Sequence, residues 1–457
     1  IEAPDGEGAR SFTAVHADGA RRAAAVSDTL LAAGQPRSAL EGLPVSVKDL
    51  FDLQGETTRA GSVALQGEPP AVRDAVAVQR LKAAGAVVVG RTNMTEFAFS
   101  GLGINPHYGT PLNPWDRASG RIPGGSSSGA AVSVSDGMAV AGLGSDTGGS
   151  LRIPAALCGL VGFKPTASRV SRVGALPLST SLDSIGAIAP GVACCALVDA
   201  ILSGDDTALP AAAPLRGLRL MVPTTLALDG MDADVARCFE RALSRLSAAG
   251  AVLTETPVPA FARLGSINAK GGLVAAEAWA WHRPHLAAHA DRYDPRVRSR
   301  ILRGKGMSAA EYIDVLRARS SLKGEFRLQQ TMVQPVENNP LKFAPNAEEA
   351  LLLLLRGGNS AFMSADQAVQ DGFDDLRAHQ LAVMAGVQAA IRHLLARFEP
   401  QAEAVALRAV IDPQELDSRQ STGTVYWEGL SDLLDAQGQA VGRGYLEMTG
   451  YAQRLRL

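Results

Sequence analysis

At 457 residues, 46% hydrophobic and 20% charged, the chain is long enough for two to four domains, or one large domain with additions, around a real core. A net charge of −2 excludes a general attraction to nucleic acid or to an anionic membrane surface. No run of about 18 apolar residues marks a membrane span, and no basic-then-apolar leader opens the sequence, which starts at Ile1 and is read as lacking its natural start. Cys158, Cys194, Cys195 and Cys238 show no Cys-x-x-Cys spacing and read as reduced residues of a cytoplasmic protein, Cys194 and Cys195 as part of a packed helix face.

In chain order, Ser11 to Ala33 carries apolar residues at helical intervals and stops at Gly34. Leu43 to Phe51 reads as a short alternating strand with a lysine, Lys48, near its end; on its own Lys48 reads as an exposed strand-end charge. A helix over Asp74–Ala84 and a buried strand over Ala86–Gly90 follow, giving an α/β alternation. Arg91 to Phe97 leads into a glycine-rich loop through His107. Pro123-Gly124-Gly125-Ser126-Ser127-Ser128-Gly129 opens a helix at Ala130–Asp136, and Met138–Leu143 is a strand. Cys158 to Thr166 is a turn and short strand, and Gly174–Pro177 and Leu182–Gly186 are loops. Helices are predicted over Val192–Leu202, Asp232–Ala249, Ala275–Ala290 and Ala309–Arg319, and strands over Gly217–Val222 and Ala251–Thr254.

The stretch Gly142-Leu143-Gly144-Ser145-Asp146-Thr147-Gly148-Gly149-Ser150-Leu151-Arg152-Ile153-Pro154 reads as a strand end, a glycine-rich turn, one serine and a helix start. Such a turn can aim backbone N–H groups at one point beside a serine hydroxyl, as acyl transfer requires. It can equally be a plain tight turn. No Gly-Lys-Ser/Thr follows the glycines, which weakens a nucleotide-binding reading. His107 is the histidine near these motifs and suits a packing or hydrogen-bonding role better than catalysis. His282, His285 and His289 share i, i+3, i+7 spacing and read as a polar helix face ahead of a metal site. Arg296, Arg298, Arg300 and Arg303 read as a solvated helix face ahead of an anion site.

Gly42 to Asp49, Arg91 to Met94, Pro123 to Gly129, Gly144 to Pro154, Gly159 to Thr166 and Ser181 to Gly186 occur in one order that resembles the amidase signature family, over about Ser11 to Ala318. The resemblance implies an α/β fold with a mixed central sheet flanked by helices. It implies hydrolysis of a carboxylic or ureido-type amide, with no metal and no organic cofactor. Residue by residue, it makes Ser150 the nucleophile, Ser126 a cis-peptide serine relaying the proton, and Lys48 the base. Thr147, Gly148 and Gly149 become oxyanion donors, and Ser127, Asp146 and Arg152 supporting residues. A lysine among apolar strand residues loses its charge more easily, which suits the base role. The partner implied is a small-molecule amide. A homodimer or a small accessory subunit is allowed, and neither nucleic acid nor membrane is expected.

The family's further core strands, including an Asn…Gly-x-Pro-Ala type stretch, are not found after Arg319. Residues 338–400 instead resemble the C-terminal region of type VI secretion proteins that carry a forkhead-associated domain. An amphipathic helix is predicted there over Ala365–Phe398. Thr424–Gly429 and Gly442–Tyr451 read as two β-strands, and about 404–451 resembles the end of lipocalin-like carotenoid-hydratase-type proteins. The domains expected are an amidase signature domain at 1–330, incomplete at both ends, a helical segment at 331–402 and a small β segment at 403–457. The chain thus reads as a composite. A catalytically defective interaction module, or an amidotransferase component, is the alternative to an active amidase.

Overall fold

Pro44–Lys48 (β2) alternates Val45 and Val47 with Ser46 and Lys48, so a strand buries its two valines on one face and points the polar residues to the other. In the computed structural model, this strand lies inside a six-stranded sheet of order β1-β3-β2-β4-β6-β5. The other strands are β1 (Phe12–Val15), β3 (Val87–Thr92), β4 (Ala141–Asp146), β5 (Val161–Phe163) and β6 (Ser184–Ala189). β2 runs parallel to β3 and β4, while β1, β6 and β5 pair antiparallel with β3, β4 and β6. The sheet is therefore mixed, as the family resemblance implied. The structure describes residues 1–205 and 211–333, with strands at 406–409, 414–417, 425–434 and 440–449.

Val45, Val47, Leu143 and Ile185 pack with Val78 and Leu81 of the helix Val76–Ala83 and with Val198 and Leu202 of the helix Val192–Ser203. A smaller cluster joins Ile188 of β6 to Ala130–Val132 of the helix Ser128–Ser135 and to Leu151 and Ala155 at the start of the helix Arg152–Leu157. On that side Ser46 Oγ lies 2.9 Å from Ser133 Oγ. Gly144 allows the close approach: a Cβ there would fall 2.8 Å from Leu151 Cδ2 and 2.9 Å from Ser127 Oγ. A buried ion pair braces the end of β2, where Arg91 Nε donates to Asp49 Oδ1 at 2.7 Å and Arg91 Nη2 to the Phe51 carbonyl at 2.9 Å.

β7 (Arg219–Pro223) and β8 (Val252–Thr256) form a separate parallel pair, joined through the helix Ala233–Ala248 as parallel strands require. The chain divides into two units, Ile1–Pro335 and Val336–Leu457. In the second, β9 (Ala406–Ala409), β10 (Gln414–Asp417), β11 (Val425–Leu434) and β12 (Ala440–Thr449) make an antiparallel sheet in which β9, β10 and β12 all pair with β11. β11 and β12 overlap the two strands expected there, Thr424–Gly429 and Gly442–Tyr451, with β11 continuing to Leu434. The predicted helix Ala365–Phe398 lies outside the described residues.

Four local expectations change. Cys194 and Cys195 do not share a packed helix face, because Cys195 is buried and Cys194 exposed. Ser11–Ala33 is not one helix: Phe12–Val15 is an edge strand, and the helix spans Ala17–Ala32. Pairing with Gly90–Thr92 of β3 holds this strand, in keeping with the strand-favouring Phe12, Thr13 and Val15. Leu182–Gly186 is not wholly loop, because Ser184 begins β6, buried along its length between β4 and β5. His282 does not sit on a polar face: it is fully buried against Phe97, Trp281 and Tyr293.

Candidate active site

Lys48 closes β2 with 0% of its surface exposed, so the reading of an exposed strand-end charge fails. Strand alternation turns it off the valine face, and its Nζ donates to Ser126 Oγ at 2.7 Å and to Ser145 Oγ at 2.9 Å. Burial strips water from the ammonium and pushes its pKa down to about 7, against the pull of the Asp146 and Asp183 carboxylates.

Ser126 follows a cis Gly125–Ser126 peptide bond in the loop that opens the helix Ser128–Ser135. That loop is held by its backbone: Gly125 N–H donates to the Gly101 carbonyl at 2.8 Å and Thr95 N–H to the Ser126 carbonyl at 3.1 Å. Ser127 N–H donates to the Ser150 carbonyl at 3.3 Å, which ties the two serine loops together. Ser127 Oγ reaches the Ser145 carbonyl at 3.4 Å.

Ser150 is 6% exposed and follows β4 through the turn Thr147-Gly148-Gly149. Asp146 organises that turn from inside. Its carboxylate accepts from Gly149 N–H at 2.8 Å, Leu151 N–H at 3.1 Å, and Arg152 Nε and Nη2 at 3.0 and 2.9 Å. Burial raises the Asp146 pKa, but the Arg152 guanidinium and these amides outweigh it and hold the carboxyl below its usual range. The Gly149 amide, expected as an oxyanion donor, is thus engaged by Asp146.

The sequence did not single out Ser145 or Asp183. Ser145 sits inside the Gly-Ser-Asp run with nothing to mark it as the partner of a distant lysine. Asp183 lay inside the Ser181–Gly186 motif, and its signal was a carboxylate between Leu182 and a buried strand. Its Oδ1 accepts from Thr147 Oγ1 at 2.5 Å, and burial pushes its pKa up. Ser145 and Asp183, with Arg172, form the polar side of a cleft of about 430 Å³ whose apolar side includes Leu50, Leu176 and Ile185.

The remaining candidates are engaged elsewhere. His107 Nε2 lies 2.8 Å from Glu96 Oε1, a hydrogen-bonding role as expected. His282 Nδ1 lies 3.1 Å from Tyr293 Oη, burial pushes its pKa down to about 3, and His285 stacks on Trp281. Arg296 pairs with Asp294, while Arg298, Arg300 and Arg303 donate to the carbonyls of Ala290, Phe99 and Ala269. Arg296 and Arg303 are exposed, as a solvated face would have them, whereas Arg298 and Arg300 are half-buried and tie backbone carbonyls.

A family model for amidases matches residues 7–333. The chain belongs to the amidase signature family. A second model, the C-terminal domain of type VI secretion system FHA proteins, matches 301–436, beyond the 338–400 expected, and takes in β11. A 2-amino-5-chloromuconic acid deaminase of Comamonas testosteroni is 44% identical over 297 residues, 64% of this chain and 64% of that protein. A glutamyl-tRNA(Gln) amidotransferase subunit from Anaeromyxobacter sp. (strain K) is 44% identical over 272 residues, 57% of this chain and 54% of that one. The chain therefore spans somewhat over half the length of these curated relatives. A crystal structure of an amidase superposes with a TM-score of 0.64 at 36% identity, over 70% of this chain and 72% of that one. No helix among the described residues is long and apolar enough to cross a membrane.

Proposed function

We propose that this chain hydrolyses a carboxylic amide bond through an acyl intermediate on Ser150, with Ser126 as proton relay and Lys48 as base. The observation that carries the reading is the buried Lys48 Nζ, 2.7 Å from Ser126 Oγ, with its pKa held at about 7. A neutral amine is the form that accepts a proton, and burial makes it available near neutral pH.

In this scheme Lys48 takes the Ser126 proton as Ser126 takes that of Ser150, and Ser150 Oγ attacks the amide carbon. The oxyanion is met by the backbone N–H groups of Thr147 and Gly148, at the turn that Asp146 shapes. Collapse of the tetrahedral intermediate breaks the C–N bond, and Ser126 hands its proton to the departing amine. Water, deprotonated along the same relay, then attacks the acyl-Ser150 ester and frees the acid. The cleft of about 430 Å³ at Ser145 and Asp183, whose lining does not include Ser150, has the size and apolar wall for a small amide. The deaminase and amidotransferase relatives favour substrates that release ammonia.

Ammonia release from a panel of small primary amides tests the reading. Release is expected from at least one, and Ser150→Ala is expected to abolish it. Release that survives Ser150→Ala contradicts the scheme. The resemblance to an amidotransferase subunit supports a second reading, a component that turns over only with a partner. It predicts a reactive Ser150 in a chain that releases no ammonia alone.

A further inference from the structure

We propose that Asp183 is a positioning residue for the Ser150 reaction, fixing the Thr147 end of the nucleophile turn, and that Glu277 in turn fixes the loop carrying Asp183. The inference rests on the amide-hydrolysis reading given above. Asp183 is buried at the wall of the cleft that also exposes Ser145. Its carboxylate joins two segments distant in sequence. On its own side it accepts the Ser179 N–H at 3.1 and 3.0 Å and the Leu178 N–H at 3.0 Å. Across the site it accepts the Thr147 hydroxyl at 2.5 Å. Thr147 is thereby pinned from its side chain while its backbone N–H remains on the turn that leads to Ser150.

The loop that carries Asp183 is itself anchored. Glu277, on the helix Gly272–His289, accepts from Ser179 Oγ at 2.5 Å, Ser181 N–H at 3.0 Å and Tyr312 Oη at 2.8 Å, and also from Ser181 Oγ. Two carboxylates thus connect a helix outside the central sheet to the turn beside the nucleophile. Such a brace matters because oxyanion donors act only when held in place before charge develops. Asp183 has a second effect through space. With Asp146 it is one of the two carboxylates whose charge raises the proton affinity of Lys48, which is otherwise lowered by burial; Ser126 and Ser145 are the neutral groups on its Nζ.

The test is the rate at which a fluorophosphonate labels Ser150 in the full chain, measured against pH. Thr147→Val and Asp183→Asn are each expected to slow labelling roughly ten- to a hundred-fold at the plateau. The double variant should be no slower than Asp183→Asn alone, because both remove one interaction. Thr147→Ser, which keeps the hydroxyl, should restore the rate. Asp183→Asn should also move the midpoint of the pH profile down, since the lysine loses one of its two attracting charges. Glu277→Gln should slow labelling without moving the midpoint. A Thr147→Val chain that labels at the wild-type rate, multiplicative effects in the double variant, or an unshifted midpoint in Asp183→Asn would overturn the inference. Wild-type labelling at Ser150 with an unaffected Asp183→Asn defeats this inference alone. A wild-type chain that forms no adduct on Ser150 defeats the amide-hydrolysis reading on which it rests.

Discussion

In the proposed scheme the chemistry turns on Lys48, and the burial of this residue has a thermodynamic signature apart from any activity. An unfolded lysine titrates near 10.4, whereas the folded chain holds Lys48 at about 7. Between those values the unfolded chain binds the extra proton, so stability rises with pH across that window. Below about 7 the cost of burying the group is fully present and is of the order of a few kcal/mol. Lys48→Met removes that cost but leaves the buried Ser126 and Ser145 hydroxyls without the amine, at about 1–3 kcal/mol each. The stability of the variant relative to the wild type should therefore be highest at pH 6 and fall towards pH 10; a relative stability that rises with pH contradicts the assignment. For reactivity the sign is the same: labelling of Ser150 should rise with pH through a midpoint near 7, and a flat or falling profile excludes a lysine base there. The resemblance pointed to Ser150, Ser126 and Lys48 together, whereas Lys48 on its own read as an exposed charge. The partner Ser145 was not legible, since only the folded sheet brings β4 beside the end of β2.

Among the elements, the turn after β4 is the most demanding. Asp146 is fully buried and gathers backbone N–H groups of Gly149 and Leu151 with the Arg152 guanidinium, so Asp146→Ala leaves several donors unsatisfied. The expected loss is about 3–5 kcal/mol, seen as a drop in melting temperature. Arg152→Ala should cost less, because Asp146 keeps the Gly149 and Leu151 amides, although the buried carboxylate loses its counter-ion. Equal losses from the two substitutions would show that Asp146 does not organise the turn. Gly125 is constrained from the other loop: a Cβ there would fall 2.5 Å from the Gly103 amide nitrogen. Gly125→Ala should therefore impair folding of the Ser126 loop, measured as lost Ser150 labelling at an unchanged far-UV spectrum. The strand β2 and the helices Val76–Ala83 and Val192–Ser203 were readable from alternation and helical spacing. The strand β1 was missed although Phe12, Thr13 and Val15 are strand-favouring residues, because the helical spacing of Ala14, Val15, Ala20 and Ala24 was read across them; pairing with β3 fixes the strand.

At the scale of the whole chain, residues 1–335 and 336–457 form separate units, and the amidase match ends near that boundary, at 333, while the type VI secretion match overlaps it from 301. The composite reading of the sequence rests on that change in character. It predicts two resolved transitions in calorimetry of the full chain; a single cooperative transition contradicts it. The mixed character of the sheet came through the family resemblance, whereas the anchoring of the site by Glu277 required the folded chain, since that helix is distant in sequence from every catalytic motif. The most direct test of the whole account is the mass of the full chain after treatment with a fluorophosphonate, with the adduct mapped by peptide sequencing. The account predicts one adduct, on Ser150, that disappears in Lys48→Ala. An adduct on another residue, or one on Ser150 that forms equally fast in Lys48→Ala, would contradict it.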